Sequence, residues 1–176
     1  MMIMISLQIK PDTKVEIKNN EIKISGKLGN NTRKFNDLLL NVKIQDNNII
    51  IDSNKIKKLE KKAAKIEQTI AKELTNDMNG VQNYFEINMQ TVSAHFPITA
   101  EVSDKMFNIK NIIGERAKRS ATILGDTKID INGQKIKIYG TSLDNVAQTA
   151  ANIRKICKIR NKDERVFQDG IYYAME

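Results

Sequence analysis

The feature that most constrains this chain is an internal repeat. Val15-Glu-Ile-Lys18 alternates apolar and polar, passes Asn19-Asn20, and resumes as Glu21-Ile-Lys-Ile-Ser25. Alternation on both sides of a turn pair predicts an antiparallel hairpin with Val15, Ile17, Ile22 and Ile24 on its buried face. Val42 to Ile44, then Asp46-Asn47-Asn48, then Ile49 to Ile51 predicts a second hairpin. A helix should follow, capped by Ser53 or Asn54, with Ile56, Leu59, Ala63, Ile66, Ile70 and Leu74 as its apolar stripe. Lys55, Lys57, Lys58, Lys61, Lys62, Lys65 and Lys72 fall on its outer face, and Asn79-Gly80 ends it. The succession then returns. Thr99 to Val102 and Phe107 to Ile109 flank Asp104-Lys105; Lys128 to Ile131 and Lys135 to Ile138 flank Asn132-Gly133, a favoured hairpin reversal. Ser142 or Asp144 opens a helix whose Val146, Ala150, Ile153 and Cys157 recur at spacings of three and four.

Sliding one half over the other makes the copy visible. Ile17 meets Val102 (102 − 17 = 85), and Ile24, Gly29, Lys34, Ile44 and Val81 meet Ile109, Gly114, Arg119, Ile129 and Val166 at the same shift. The reading is an α+β fold of two tandem duplicated domains, residues 1–81 and 82–176. Each is an antiparallel β-sheet with one main helix packed on a face.

Charge distinguishes the copies. The 176 residues carry a net +8, a balance that favours anionic partners and bears on association, not fold. Residues 1–81 contribute 15 Lys+Arg against 10 Asp+Glu, and residues 82–176 contribute 14 against 11. Yet the second copy holds Arg116, Arg119, Arg154, Arg160 and Arg165, whereas the first holds only Arg33. Lysine suffices for solubility; the planar guanidinium fork matches phosphate oxygens two at a time. The basic run after the second helix (Arg154, Lys155, Lys158, Arg160, Lys162, Arg165) therefore reads either as a solvated face or as a grip on an anionic polymer. Clustered arginine favours the polymer. The run ends at Gln168-Asp169-Gly170, where Asp-Gly signals a tight reversal before a short strand that pins the loop back.

Catalytic signatures do not assemble. His95 is the sole histidine and Cys157 the sole thiol, so neither a zinc set nor a nucleophilic pair is spelled out. Cys157 lies on an apolar stripe, where an inert buried thiol is expected. His95, in Ala94-His-Phe-Pro97, reads as fixing a strand start or meeting a partner. Asp163 and Glu164 sit among cations as loop struts, and Gly114-Glu-Arg116 lacks the glycine spacing of a nucleotide loop. No stretch approaches a membrane span or a secretory leader, so a soluble intracellular protein without metal or cofactor is expected.

Several motifs resemble the universal large-subunit ribosomal protein L-six family in its archaeal and eukaryotic form, called L-nine in eukaryotes. They are Ala94-His-Phe-Pro-Ile98, Ile113-Gly-Glu115, Ile123-Leu-Gly-Asp-Thr-Lys128, Gln148-Thr-Ala-Ala-Asn-Ile153 and Arg165-Val-Phe-Gln-Asp-Gly-Ile-Tyr172. These span nearly all of the second copy; the first matches loosely, through Val15 to Gly26 and Met78 to Val81. Ala147 departs from the family's usual glycine, and its methyl is expected to shift the helix slightly on its support.

The resemblance implies a non-enzymatic cytoplasmic ribosomal component. It implies that the second domain contacts large-subunit rRNA near the sarcin–ricin loop and stalk base, beside neighbouring ribosomal proteins and docking translation factors. Carried onto this chain, the contact set is His95, Lys118, Arg119, Gln148, Asn152, Arg154, Lys155, Lys158, Arg160, Lys162, Arg165, Gln168 and Gly170. A-form RNA would be read through phosphate, 2′-hydroxyl and shape. Aromatic residues make up only 5% of the chain, which disfavours a base-stacking platform. Two rivals remain: a module whose Lys-rich first helix docks an acidic protein, and, more remotely, a hydrolase using His95.

Overall fold

The computed structural model describes residues 5–36, 40–53, 60–159, 162–163 and 165–174, with main chain alone at 53 and 60–64. The chain divides into two compact units, Met1–Tyr84 and Phe85–Glu176.

In the first unit, β1 (Ile5–Gln8), β2 (Lys14–Lys18), β3 (Glu21–Gly26), β4 (Gly29–Lys34), β5 (Leu40–Gln45) and β6 (Asn48–Ser53) precede α1 (Glu60–Gly80). The strands form two antiparallel sheets, β2-β3-β4 and β1-β6-β5, where the sequence suggested one. α1 packs on β6, β1 and β3. Between them lies a core of Ile22, Ile24, Leu40, Ile49, Ile51, Ile70, Leu74, Met78 and Val81. Each large side chain fully withdrawn from water contributes about 1.5–3 kcal/mol. Gly26 is needed for the closeness of this packing. A Cβ there would stand 2.6 Å from Val81 Cγ2, beside the bond that Leu28 N–H donates to the Val81 carbonyl at 3.0 Å.

The second unit runs β7 (Phe85–Val92), β8 (Thr99–Ser103), β9 (Met106–Lys110), a 3-10 turn at Ile112–Gly114, β10 (Arg119–Thr122), β11 (Lys128–Asn132) and β12 (Lys135–Gly140). α2 (Leu143–Cys157) and β13 (Gly170–Tyr173) complete it. Its sheets are β10-β9-β8 and β11-β12-β7-β13. α2 starts where Ser142 Oγ accepts from Asn145 N–H at 3.4 Å, so of the two proposed caps Ser142 serves. The helix packs on β10, β12, β7 and β13 around Phe107, Ile109, Ile136, Ile138, Val146, Ala150 and Ile153. Ala150 is buried against the support while Ala147 is exposed, so the Ala147 methyl does not press on it and the expected shift of the helix does not arise.

The duplication holds while the constant shift of 85 does not. It fits the first hairpins, where Lys14 pairs Ser25 as Thr99 pairs Lys110. In the next pairing Ile24 faces Asn31 while Ile109 faces Arg119, so Arg119 answers to Asn31 and not to Lys34 (119 − 31 = 88). The longer β9–β10 connection, with its 3-10 turn at Ile112–Gly114, inserts the difference; Gly114 sits in that turn whereas Gly29 opens a strand. The second hairpins align Ile44 with Ile131, not Ile129 (131 − 44 = 87), because Gln45 pairs Asn48 as Asn132 pairs Lys135. Helix core positions Ala71, Leu74 and Met78 match Ala150, Ile153 and Cys157 (150 − 71 = 79). Val81 is buried and Val166 is 61% exposed, so these two are not counterparts.

The proposed helix start at Asn54, with Lys55, Ile56, Lys57, Lys58 and Leu59, lies outside the described residues. So do the side chains of Lys61, Lys62 and Ala63. Lys65 and Lys72 are exposed as expected. Five features escaped the sequence reading: β1, the polar β4, β7 inside its sheet, β10, and the division into two sheets.

Candidate nucleic-acid interface

The basic residues converge on the C-terminal end of α2 because β10, α2 and the chain leading to β13 meet there. Helical periodicity places Val146, Ala150, Ile153 and Cys157 inward, which turns Arg154 and Lys155 outward. Lys158 caps the helix and is exposed. A groove of about 880 Å³ runs between β10 and this helix end, its lining including the cations Arg119, Lys155, Lys158 and Lys162, the carboxylate Glu115 (held by Arg119), and apolar Ala121, Ile156 and Ile159. A second cleft of about 430 Å³ lies across the helix, between Arg154, Lys155 and Lys158 and the strand Gly170–Tyr173. Lys155, Lys158 and Ile159 line both.

The predicted contact residues divide into two kinds. Lys118, Lys155, Lys158 and Arg165 have exposed side chains with no carboxylate partner among the described residues. Arg154 lies over the Tyr173 ring at 5.6 Å, and Lys162 over Phe167 at 4.6 Å. These contacts orient each cation, and among the described residues no carboxylate pairs with either. Arg119 is different. Its Nε and Nη2 donate to Glu115 at 2.9 and 2.5 Å, and Nη1 donates to the carbonyls of Ile156 and Lys158 at 2.8 and 3.1 Å. The hydrogen bonds from Arg119 hold the Glu115 carboxyl below its ordinary range despite partial burial. Arg119 thus satisfies carbonyls at the open end of α2, with no fork left free for a phosphate. Arg160 lies outside the described residues.

The polar residues follow the same division. Gln148 Nε2 donates to Asn152 Oδ1 at 3.0 Å, and Asn152 Nδ2 donates to the Thr122 carbonyl at 3.3 Å, a chain tying α2 to β10. Gln148 stays exposed. Gln168 is exposed and donates to the Arg165 carbonyl at 3.3 Å, while Arg165 N–H donates to Asp163 Oδ1 at 2.9 Å, the strut role expected of Asp163. Gly170 is buried as the first residue of β13.

Asp169-Gly170 does not make the tight reversal read from its sequence. Asp169 is a buried staple: Oδ1 accepts from Ala94 and His95 N–H at 2.9 and 3.1 Å, and Oδ2 lies 2.8 Å from His95 Nδ1. Burial alone would raise its pKa. The side-chain and main-chain bonds from His95, with that from Ala94, outweigh it and hold the carboxyl below its ordinary value. His95 also sits 5.3 Å from the Phe167 ring. It therefore fixes the cationic loop to the end of β7, and among the described residues no hydroxyl or thiol hydrogen-bonds to its ring. Cys157 is buried, and burial pushes its thiol up to about 11, against smaller opposing effects of an Ile171 main-chain hydrogen bond and the Arg119 charge. At neutral pH it is an inert thiol.

Sequence reasoning missed the Ile113 backbone, which borders the larger groove with φ 50°, ψ 36°. A β-branched residue in the left-handed region is strained. Neighbouring Asn111, at φ 64°, adopts the same region more readily. No sequence signal marks this turn beyond Gly114.

Fold and face together define a class of protein: a duplicated α+β scaffold presenting exposed cations along one helix end. Comparison with known proteins narrows the class. The family model described as Ribosomal protein L6 matches residues 96–170. The chain is 36% identical over 166 residues to Large ribosomal subunit protein uL6 of Methanobrevibacter smithii, covering 94% of this chain and 92% of that protein. Similarity to the proteins of the same name from Methanosarcina mazei (35% over 171 residues, 97% and 96% covered) and Haloarcula marismortui (32% over 168, 96% and 93%) is as extensive. The chain belongs to the ribosomal protein L6 family, whose members are structural and not enzymatic.

Proposed function

We propose that this protein is a structural constituent of the large ribosomal subunit, and so works in the cytoplasm as part of the ribosome. Its second unit binds large-subunit rRNA near the sarcin–ricin loop and stalk base, supporting the region where translation factors dock beside neighbouring ribosomal proteins. The reading is carried by one observation: Lys155, Lys158 and Lys162 line a single groove, with no carboxylate partner among the described residues. Lys118, Arg154, Arg165, Gln148 and Gln168 extend that face, while Arg119, Asn152, His95 and Gly170 hold its shape. The groove suits a phosphate backbone followed by shape, since three ammonium groups line it together.

Titration of the full chain against large-subunit rRNA fragments across salt concentrations tests this. Each phosphate contact removed should lower the magnitude of the slope of log K against log salt by about 0.7–0.9. Lys155→Ala with Lys158→Ala should therefore flatten it by about 1.5. An unchanged slope would count against this face.

A further inference from the structure

Comparing the two copies strand by strand exposes an unfilled place in the first. In the second unit the sheet order is β11-β12-β7-β13; in the first it is β5-β6-β1, and nothing among the described residues occupies the position of β13. The correspondence follows from register. Ile51 pairs Ile5 as Ile138 pairs Ile87, and Ile49 pairs Leu7 as Ile136 pairs Met89. β1 therefore answers to β7 (87 − 5 = 82), and Ser6, Gln8 and Ile9 answer to Asn88, Gln90 and Thr91. The hydrogen bonds keep the same parity. Ile9 N–H donates to the Asn47 carbonyl at 2.9 Å as Thr91 N–H donates to the Gln134 carbonyl at 2.8 Å. Direction alternates along an antiparallel strand, so Ser6 and Gln8 turn their main-chain groups away from β6. In the second unit Asn88 and Gln90 meet β13 on that side, where Ala174 N–H donates to the Asn88 carbonyl at 3.0 Å.

Three further observations mark this edge as receptive. Ser6 and Gln8 are exposed, and no described residue bonds their outward main-chain groups. Leu7 and Ile9 are only half-buried, whereas Met89 and Thr91, sheltered by β13, are buried. Finally, Ile5-Ser-Leu-Gln-Ile9 itself contains no charged residue and no proline, the usual means of blunting an exposed edge, and Lys10-Pro11 follow only at its end.

We propose that β1 is a docking edge for an extended segment of a partner protein, which adds antiparallel to it as β13 adds to β7. The fitting segment carries an apolar residue opposite Ile9, in the place Ile171 takes opposite Thr91. It donates and accepts main-chain hydrogen bonds at Ser6 and Gln8, the mode known as β-augmentation. This edge is independent of the proposed rRNA face, so either assignment can fail alone.

The test uses the isotope-labelled full chain and, as probe, a synthetic peptide copying Gln168–Ala174. A control peptide is N-methylated at the nitrogens matching Tyr172 and Ala174, which removes two donors without altering the protein. Expected are amide shift changes and slowed exchange at Ser6 and Gln8, with affinity reduced about tenfold or more by methylation. Silence at Ser6 and Gln8, equal binding of both peptides, or changes confined to Asn88 and Gln90 would each overturn the proposal. So would self-association of the chain through β1 without peptide, or closure of the same amides by rRNA alone.

Discussion

Replacing Asp169 tests whether the cationic loop is held by one buried carboxylate. Asp169 is 1% exposed and accepts two main-chain N–H bonds and one from His95 Nδ1. Hydrogen bonds to a charged acceptor contribute about 1.5–3 kcal/mol each, but they are not additive. Ala94 and His95 are themselves exposed, so their freed donors can turn to water. Asp169→Ala should therefore destabilise the second unit by about 2–4 kcal/mol at pH 7, and Asp169→Asn, which keeps one acceptor, by about 1–2. Because the chain has two units, one melting curve does not report this. Hydrogen exchange at the β7 and β13 amides, followed residue by residue, does. The carboxyl's folded pKa lies below its ordinary value, so its contribution is complete above about pH 5. That contribution declines as pH falls below about 5 and is gone once pH has passed the folded value, so the wild-type advantage over Asp169→Asn should shrink progressively on acidification from there. Loss of the staple should also weaken rRNA binding, since the loop must then be ordered on contact. A wild-type advantage that persisted undiminished at pH 2, or protection unchanged in Asp169→Ala, would refute the staple.

Arg119→Lys keeps the charge but cannot reproduce contacts to Glu115 and two carbonyls together; it should destabilise the second unit by about 1–2 kcal/mol, read by hydrogen exchange at its core amides. Lys155→Ala should leave stability within about 0.5 kcal/mol while lowering rRNA affinity, and the reverse pattern would exchange the roles assigned to the two residues. Cys157 should resist alkylation in the folded protein at pH 8 and react promptly once denatured, read by mass spectrometry.

Much of the scaffold was legible because it depends on local periodicity. Alternation at Val15–Ser25, Val42–Ile51, Thr99–Ile109 and Lys128–Ile138 marked four hairpins, and each formed. The stripe Val146, Ala150, Ile153, Cys157 marked the inner face of α2, and each of the four is buried. Strands without an apolar run were not legible. Gly29–Lys34 is polar throughout, and its pairing is decided by the neighbouring strand β3. Nor could a fixed shift between copies survive, because turns accept insertions that paired strands do not.

The cationic face shows the same division. The sequence by itself determined that guanidinium and ammonium groups concentrate after α2, that this helix is amphipathic, and which family the motifs resemble. It could not separate cations held inside from cations left outside. Arg119 and Lys155 read alike until the fold brings Glu115 and the helix-end carbonyls within reach of the first, and no carboxylate among the described residues to the second. Asp169 looked like a turn residue until β7 placed Ala94 and His95 beside it. Tertiary structure alone made those distinctions, since a hydrogen bond between residues 74 or 75 positions apart leaves no periodic trace along the chain.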